Sequence, residues 1–355
     1  MPAPLTVENV VRAPKVLLHD HLDGGLRPQT VLELADEHGY RELPAADAES
    51  LGIWFRQAAD SGSLVRYLET FAHTVGVMQH PDAIHRVARE CALDLAADGV
   101  VYAEVRFAPE LSTANGLPIE AVVEAMVAGF AAGSAEAETP IQVGALLCAM
   151  RQADRWEEVA GLVVRYRDAG VVGFDLAGPE IGFPPDRVPA AIALLDRERA
   201  HRTIHAGEAA GIDSIRAALD GAHAERLGHG VRIADQVAED GTLGPLAQRV
   251  RDEQVTLEIA PSSNVQTGAY PSLAAHPVDR LHRLGFAVTV NTDNRLMSGV
   301  SASSEIADVA TTFGWSWDDV RTVTERAVAA AFIPEEDRKR LLTGVVRQGY
   351  AALQS

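Results

Sequence analysis

The chain has 355 residues, 47% of them apolar and 23% charged. That balance suits a large globular core and excludes a disordered chain, a collagen and a small disulfide scaffold. Lys and Arg number 31 against 50 Asp and Glu, a net charge of −19, which argues against nucleic acid or an anionic membrane surface as the main partner.

No apolar run approaches the roughly 18 residues of a membrane span. Cys91 and Cys148 are the two cysteines, too few for a disulfide framework. The first residues show no basic region followed by an apolar stretch, so a cytoplasmic protein is expected. Oligomeric state is open, a homo-oligomer included.

In chain order, short β-branched and apolar runs predict strands over 15–24, 100–109, 141–150, 171–178, 201–208, 225–230, 255–264 and 286–294. Longer Ala-, Leu-, Glu- and Arg-rich stretches of helical period lie between them, at 81–98, 118–137, 155–169, 187–199, 211–219 and 278–284. Pro81 and Pro118 stand at first-turn positions. Eight strands alternating with helices predict a (β/α)₈ TIM barrel, one domain over 1–355 with its core at about 14–350. The connection 25–99 is too long for a simple crossover. It reads as a helical insertion or lid, with segments at 30–38, 50–59 and 64–78. The tail 303–355 predicts two or three closing helices.

Polar residues gather at the C-terminal ends of the predicted strands: His19 and His21, Arg106, Arg151, Asp175, His205 and Glu208, His229, residues 262–264, then Asp293 and Asn294. In this fold those ends share one face, and that face carries the active site. Taken singly, each histidine reads as readily as a satisfied core residue. Their recurrence on one rim does not.

His19 and His21 are two apart, so on a strand both rings reach the same point. His205 and Asp293 extend them to a set of three imidazoles and one carboxylate. Zn²⁺ suits such a borderline-soft set best, with Fe, Mn and Co as alternatives. A catalytic metal also needs a place for water, so a five-coordinate ion with one water is expected. His229, between Gly228 and Gly230, reads as a further ligand or as an acid/base beside that water. Glu208 is placed to protonate a substrate nitrogen if burial raises its pKa. The chemistry implied is metal-assisted hydrolysis of a C–N bond.

The motifs His19-Asp-His21-Leu-Asp23-Gly24, Asp175-Leu-Ala-Gly178, His205-Ala-Gly-Glu208, Leu227-Gly-His229-Gly230, Ser262-Ser-Asn264 and Thr292-Asp293 together resemble the adenosine deaminase family, in order and over nearly the whole chain. The resemblance implies one zinc per chain on His19, His21, His205 and Asp293, and a small-molecule purine nucleoside as substrate. It makes Glu208 the acid for purine N1. His229 would handle the proton of the water that adds at C6 and stabilise its oxygen. It implies substrate contacts from His21, from Asp23 to a ribose hydroxyl, and from the Gly178 backbone to N3. Adenosine would yield inosine and ammonia beneath a lid for which Leu51, Trp54 and Phe55 are candidates, although the same stripe suits a core.

One departure stands out. The family commonly has Asp-Asp where this chain has Asp293-Asn294. The second residue faces the acceptor N7, where an amide can donate without being protonated. Arg106 and Arg151 read as partners of rim carboxylates such as Glu104 or Glu180 rather than as phosphate ligands.

Three rivals remain. Two-metal barrels bridged by a carboxylated lysine are disfavoured, because Lys15 and Lys339 are the only lysines and neither lies at the fourth strand's end. Deaminases of a free base, a nucleotide or a modified nucleoside such as aminodeoxyfutalosine share the metal set, but Asp23 favours a plain nucleoside. The H-x-E…P-C-x-x-C signature of cytosine deaminases is absent. A barrel that only binds would not need the complete catalytic set.

Overall fold

The computed structural model describes residues 4–354. Its strands follow the predicted order, each somewhat shorter than or equal to its apolar run: β1 Lys15–His21, β2 Val100–Phe107, β3 Gln142–Met150, β4 Val171–Ala177, β5 Thr203–Ala206, β6 Arg226–His229, β7 Thr256–Ile259 and β8 Val288–Val290. The largest differences are in β7 and β8, and the cause is plainest in β7. Pro261 has no amide hydrogen for a ladder and a φ suited to a helix start, so a short helix Pro261–Gln266 begins there. Residues 262–264 therefore ride on a helix and not on a strand end.

All pairings are parallel, in the orders β1-β2-β3-β4 and β5-β6-β7-β8. Two seams join the halves. At one, Phe174 bridges to Arg202, and the Phe174 N–H donates to the His201 carbonyl at 2.9 Å. At the other, Asp20 bridges to Asp293. There the His21 N–H donates to the Asp293 carbonyl (2.7 Å) and the Asp293 N–H to the His19 carbonyl (3.0 Å). The Leu18 N–H donates to Asn291 Oδ1 at 3.0 Å, so a side chain supplies one rung. The result is a closed (β/α)₈ barrel.

Helices Pro81–Ala97, Ile119–Glu136, Trp156–Arg165, Pro189–Glu198, Ile212–Asp220, Pro245–Asp252 and Val278–Arg283 surround it. Closing helices Ala302–Phe313 and Trp317–Ala330 each start with a capping box, Ser301 with Ser304 and Ser316 with Asp319. Beyond them the Phe332 N–H donates to Glu104 Oε1 inside the barrel (2.6 Å). The Arg226 guanidinium lies over the Phe332 ring at 3.6 Å. No described helix is long and apolar enough to cross a membrane.

Between β1 and Pro81–Ala97 run helices Pro28–Glu37, Ala48–Ala59, Leu64–Glu69 and Phe71–Val77. The single helix expected over 64–78 breaks at Thr70, whose hydroxyl donates to the Tyr67 carbonyl at 2.7 Å and competes with the helical ladder. Of the two readings open for Leu51, Trp54 and Phe55, the core one holds. Leu51 and Phe55 are fully buried in the core, and Trp54 packs edge-on against Phe55 and His73.

Pro81–Ala97 and Ile119–Glu136 approach closely because Gly129 and Gly133 lack side chains. A Cβ at Gly133 would sit 2.3 Å from the Arg89 carbonyl oxygen, and one at Gly129 would sit 2.4 Å from that of His85. Gly133→Val should therefore destabilise the fold by about 1–3 kcal/mol. Urea unfolding would show this as a lower midpoint with an unchanged slope.

Candidate metal and active site

β1 carries His19 and His21 on one face, as alternation requires. His21 Nε2 is 3.3 Å from His205 Nε2 and 3.3 Å from Asp293 Oδ1, and His19 Nε2 is 3.2 Å from Asp293 Oδ1. Bonds of about 2.0–2.1 Å to one centre give tetrahedral edges of about 3.3 Å, so this spacing suits a small ion such as zinc. His19 Nε2 is buried without a hydrogen-bond partner, which is how a ligand nitrogen presents itself. The donor atoms of His19, His205, His229 and Asp293 all lie within 4.8 Å of one another, so His229 also lies at this centre, while His21 stands outside that group of four and joins it through His205 and Asp293.

What stands behind each ring separates them. His19 Nδ1 faces Glu258 Oε2 at 3.1 Å, and His205 Nδ1 faces Asp175 Oδ2 at 3.0 Å. A carboxylate there accepts a hydrogen bond from Nδ1–H, which fixes the proton on Nδ1 and leaves Nε2 free to ligate. His229 Nδ1 instead faces the amide nitrogen of Asn264 at 3.0 Å. Asp293 Oδ2 accepts from Ser263 at 2.6 Å. Burial is the largest influence on His21, His205 and His229, and it holds all three below the usual imidazole range.

Both supporting carboxylates hang on Arg106. Its guanidinium donates to Asp175 Oδ2 (2.9 Å), Glu258 Oε2 (2.7 Å) and the Leu18 carbonyl (2.7 Å). Arg106, Asp175 and Glu258 are wholly buried. Arg226 joins Glu258 Oε1 (2.7 Å) to Glu104 Oε2 (2.5 Å), and Cys148 donates to Asp175 at 2.9 Å. Arg106 is thus an internal strut and not a phosphate ligand, but its partners are Asp175 and Glu258 rather than Glu104. Arg151 donates to the carbonyls of Phe183 (2.9 Å) and His205. Glu180, the partner expected for an arginine, instead takes backbone N–H groups from Gly207 to Ala210 and the Ser214 hydroxyl. It holds the turn that carries Glu208.

Glu208 is buried, and burial first, then the negative charge of Asp293, pushes its carboxyl up to about 8. Its Oε1 accepts from Thr267 at 2.8 Å and Asn264 at 3.3 Å, and its Oε2 lies 3.6 Å from His229 Nε2. His229 and Asp293 both adopt left-handed backbone, with φ of 62° and 56°. Strain of this kind costs non-glycine residues about 1–3 kcal/mol each and collects at functional sites.

The residues border a cavity of about 340 Å³. Leu64, Tyr67, Leu68, Phe71, Ala72 and Val75 wall it on one side, and Asp23, Gly178, Glu208 and Asn294 face them. Asp23 Oδ1 and Asn294 Oδ1 are buried without partners, and burial pushes Asp23 up to about 7. Gly178 holds φ at 101°, and a Cβ there would sit 2.5 Å from Gln152 Oε1. Among the described residues no lysine or arginine lines the cavity. Glu258, Asn264, Thr267 and Tyr67 were not assigned from sequence. Asn264 alone carried a signal, within the Ser262-Ser-Asn264 motif.

A barrel of this form, with three histidines and an aspartate converging at its C-terminal mouth, defines the class of metal-dependent hydrolases. The adenosine deaminase family model matches residues 14–348. Adenosine deaminase from Mycolicibacterium vanbaalenii is 56% identical, covering 99% of each chain. Adenosine deaminase 1 from Streptomyces coelicolor is 58% identical over 98% of this chain and 90% of that one. Among solved structures, an adenine deaminase from Arthrobacter aurescens superposes with a TM-score of 0.82 at 26% identity, over 95% of this chain and 99% of that one. The chain belongs to the adenosine deaminase family.

Asp175→Asn keeps the shape but removes the charge that holds the His205 Nδ1 proton. Metal affinity should fall about 10- to 100-fold. Competition with a chromogenic chelator measures it, and an unchanged affinity would remove Asp175 from the support of the site.

Proposed function

We propose that the protein hydrolyses adenosine, and 2′-deoxyadenosine, to the inosine nucleoside and ammonia, acting as one barrel domain with one zinc on His19, His21, His205 and Asp293. The observation that carries this reading is Glu208, a buried acid with a raised pKa on the same rim as the histidine–aspartate cluster. A metal held there supplies Lewis-acid activation of water at neutral pH.

The chain's own groups do the rest. Glu208 keeps a proton near neutrality and delivers it to purine N1, which makes C6 electrophilic. His229 faces the oxygen arriving at C6. The C6–O bond forms to the water's oxygen, one water proton passes to the departing amino group and the other restores the Glu208 carboxyl, the C6–N bond breaks, and ammonia leaves. In this reading the Gly178 backbone bonds N3 and the Asn294 amide bonds N7, a role that their place in the cavity lining supports. His21 and Asp23 meet the sugar side, with the Asp23 oxygen taking a ribose hydroxyl. That contact favours a nucleoside over a free base. The acidic, lysine- and arginine-free wall disfavours a nucleotide, because a 5′-phosphate would face carboxylates with no cation to pair with. A cytoplasmic location suits salvage of such a substrate.

Ammonia release from adenosine, by metal-loaded protein beside chelator-stripped protein, tests the reading directly. Fast release that disappears on stripping and returns with zinc is expected. A metal-replete protein that leaves adenosine intact would overturn it.

The acid must be protonated to act, so kcat/KM should fall as pH rises through about 8. Thr267 lowers the Glu208 pKa by hydrogen bonding to its oxygen. Thr267→Val should therefore move the alkaline limb to higher pH. Glu208→Ala should lose about 10²- to 10⁴-fold in kcat with its metal retained.

A further inference from the structure

His276 lies outside the motifs that define the site, yet it sits at the start of a hydrogen-bond chain that ends there. It is buried, and burial lowers its pKa to about 3, so it is neutral. Its Nδ1 accepts the Val278 backbone N–H at 3.1 Å. A neutral imidazole has one proton, so that proton is on Nε2. Nε2 faces Asn264 Oδ1 at 3.3 Å. The amide oxygen is thereby engaged, and the amide cannot turn over without setting its NH₂ against an N–H.

The Asn264 NH₂ group has two hydrogens and two acceptors. One is His229 Nδ1 at 3.0 Å and the other is Glu208 Oε1 at 3.3 Å. His229 Nδ1 therefore holds a lone pair, and the single proton of the neutral ring lies on Nε2. Glu208 Oε1 accepts from both Asn264 and Thr267, which leaves Oε2 to carry the acid proton. The two groups that face the reaction then both present hydrogens. Their 3.6 Å separation, too long for a hydrogen bond between them, agrees with two donors aimed at a third partner.

We propose that His276 is a positioning residue which, through Asn264, fixes His229 as the Nε2–H tautomer and Glu208 as the Oε2–H acid. The inference rests on the deaminase reading for its kinetic consequence but not for its structural one. It makes His229 a hydrogen-bond donor to the oxygen that adds at C6 rather than the base that takes the water's proton. In this reading His229 is no metal ligand despite its place in the cluster, since an Nε2 that holds a proton has no lone pair to give. His19 and His205, each with a carboxylate behind Nδ1, have the opposite tautomer.

The test is ¹⁵N NMR of the histidine rings in zinc-loaded full-length protein, with His229 assigned from a His229→Gln spectrum. His229 should be protonated at Nε2 in the wild type. Asn264→Asp is isosteric and sets an acceptor against Nδ1, so it should reverse the tautomer and lower kcat by about 100-fold or more. His276→Leu should mix the tautomers and lower kcat about tenfold with little change in KM. His276→Gln, whose amide can donate to the same oxygen, should restore most of the loss. An Nδ1-protonated His229 in the wild type overturns the proposal. So does a tautomer that neither the Asn264 nor the His276 change disturbs. The NMR arm needs no substrate, so a wild type that leaves adenosine untouched would sink the deaminase reading and still report on the relay.

Discussion

The structure depends on one buried cation. Arg106 spans the barrel interior from β2 and binds Asp175 on β4 and Glu258 on β7 at the same time. Each of these carboxylates holds the back of a histidine of the candidate metal site. Two anions close together in a dry interior would repel and take up protons. The guanidinium between them prevents this, and both are held below the usual carboxylate range. Burying such charges costs several kcal/mol per ion, and removing one partner typically costs 3–5 kcal/mol more than the intact network. A hydrophobic barrel centre would be at least as stable. It could not fix two imidazoles with Nε2 pointing to one place.

The lengths of the strands serve the same end. β7 and β8 stop at Ile259 and Val290, well before the residues that contact the site. The chain then turns inward, through Pro261 into a one-turn helix that brings Ser263, Asn264 and Thr267 over the mouth, and through the left-handed Asp293. A regular strand would have carried these side chains past the rim. Irregular backbone is tolerated because the groups it exposes are taken up, as at Asn291 and at the His21–Asp293 seam.

How much of this was legible depends on the kind of signal each residue leaves. The barrel was readable because each strand is a short apolar run with a polar end. The cluster of donors was readable because His19 and His21 sit two apart and the other donors recur at strand ends. Glu258 was not, because a barrel strand buries both faces and parity alone does not tell an inward carboxylate from an outward one. The choice between lid and core for Leu51 and Phe55 was open for a similar reason. They show the same helical spacing as Leu64, Leu68 and Phe71, yet the first pair is buried in the core and the second set lines the cavity. Asn264, Thr267 and His276 were obscure because their importance lies in proton direction, and proton direction follows from contacts such as Asn264 to His229, 35 residues apart.

Glu208 and Asp293 show how one rim runs two carboxylates in opposite states. Asp293 faces histidines and a serine hydroxyl, which hold it well below the usual range. Glu208 faces an apolar wall and the charge of Asp293, and it rises to about 8. Both are buried, so the difference between them is neighbouring charge and hydrogen bonding, not residue type. The helices Leu64–Glu69 and Phe71–Val77 contribute Leu64, Leu68 and Phe71 to the apolar lining of the cavity that Glu208 borders. Water admitted past these side chains would reach the Glu208 carboxyl and lower its pKa toward that of an ordinary glutamate. The apolar wall and the acid are therefore one device: the side chains that enclose a purine ring are also those that keep a proton ready for it.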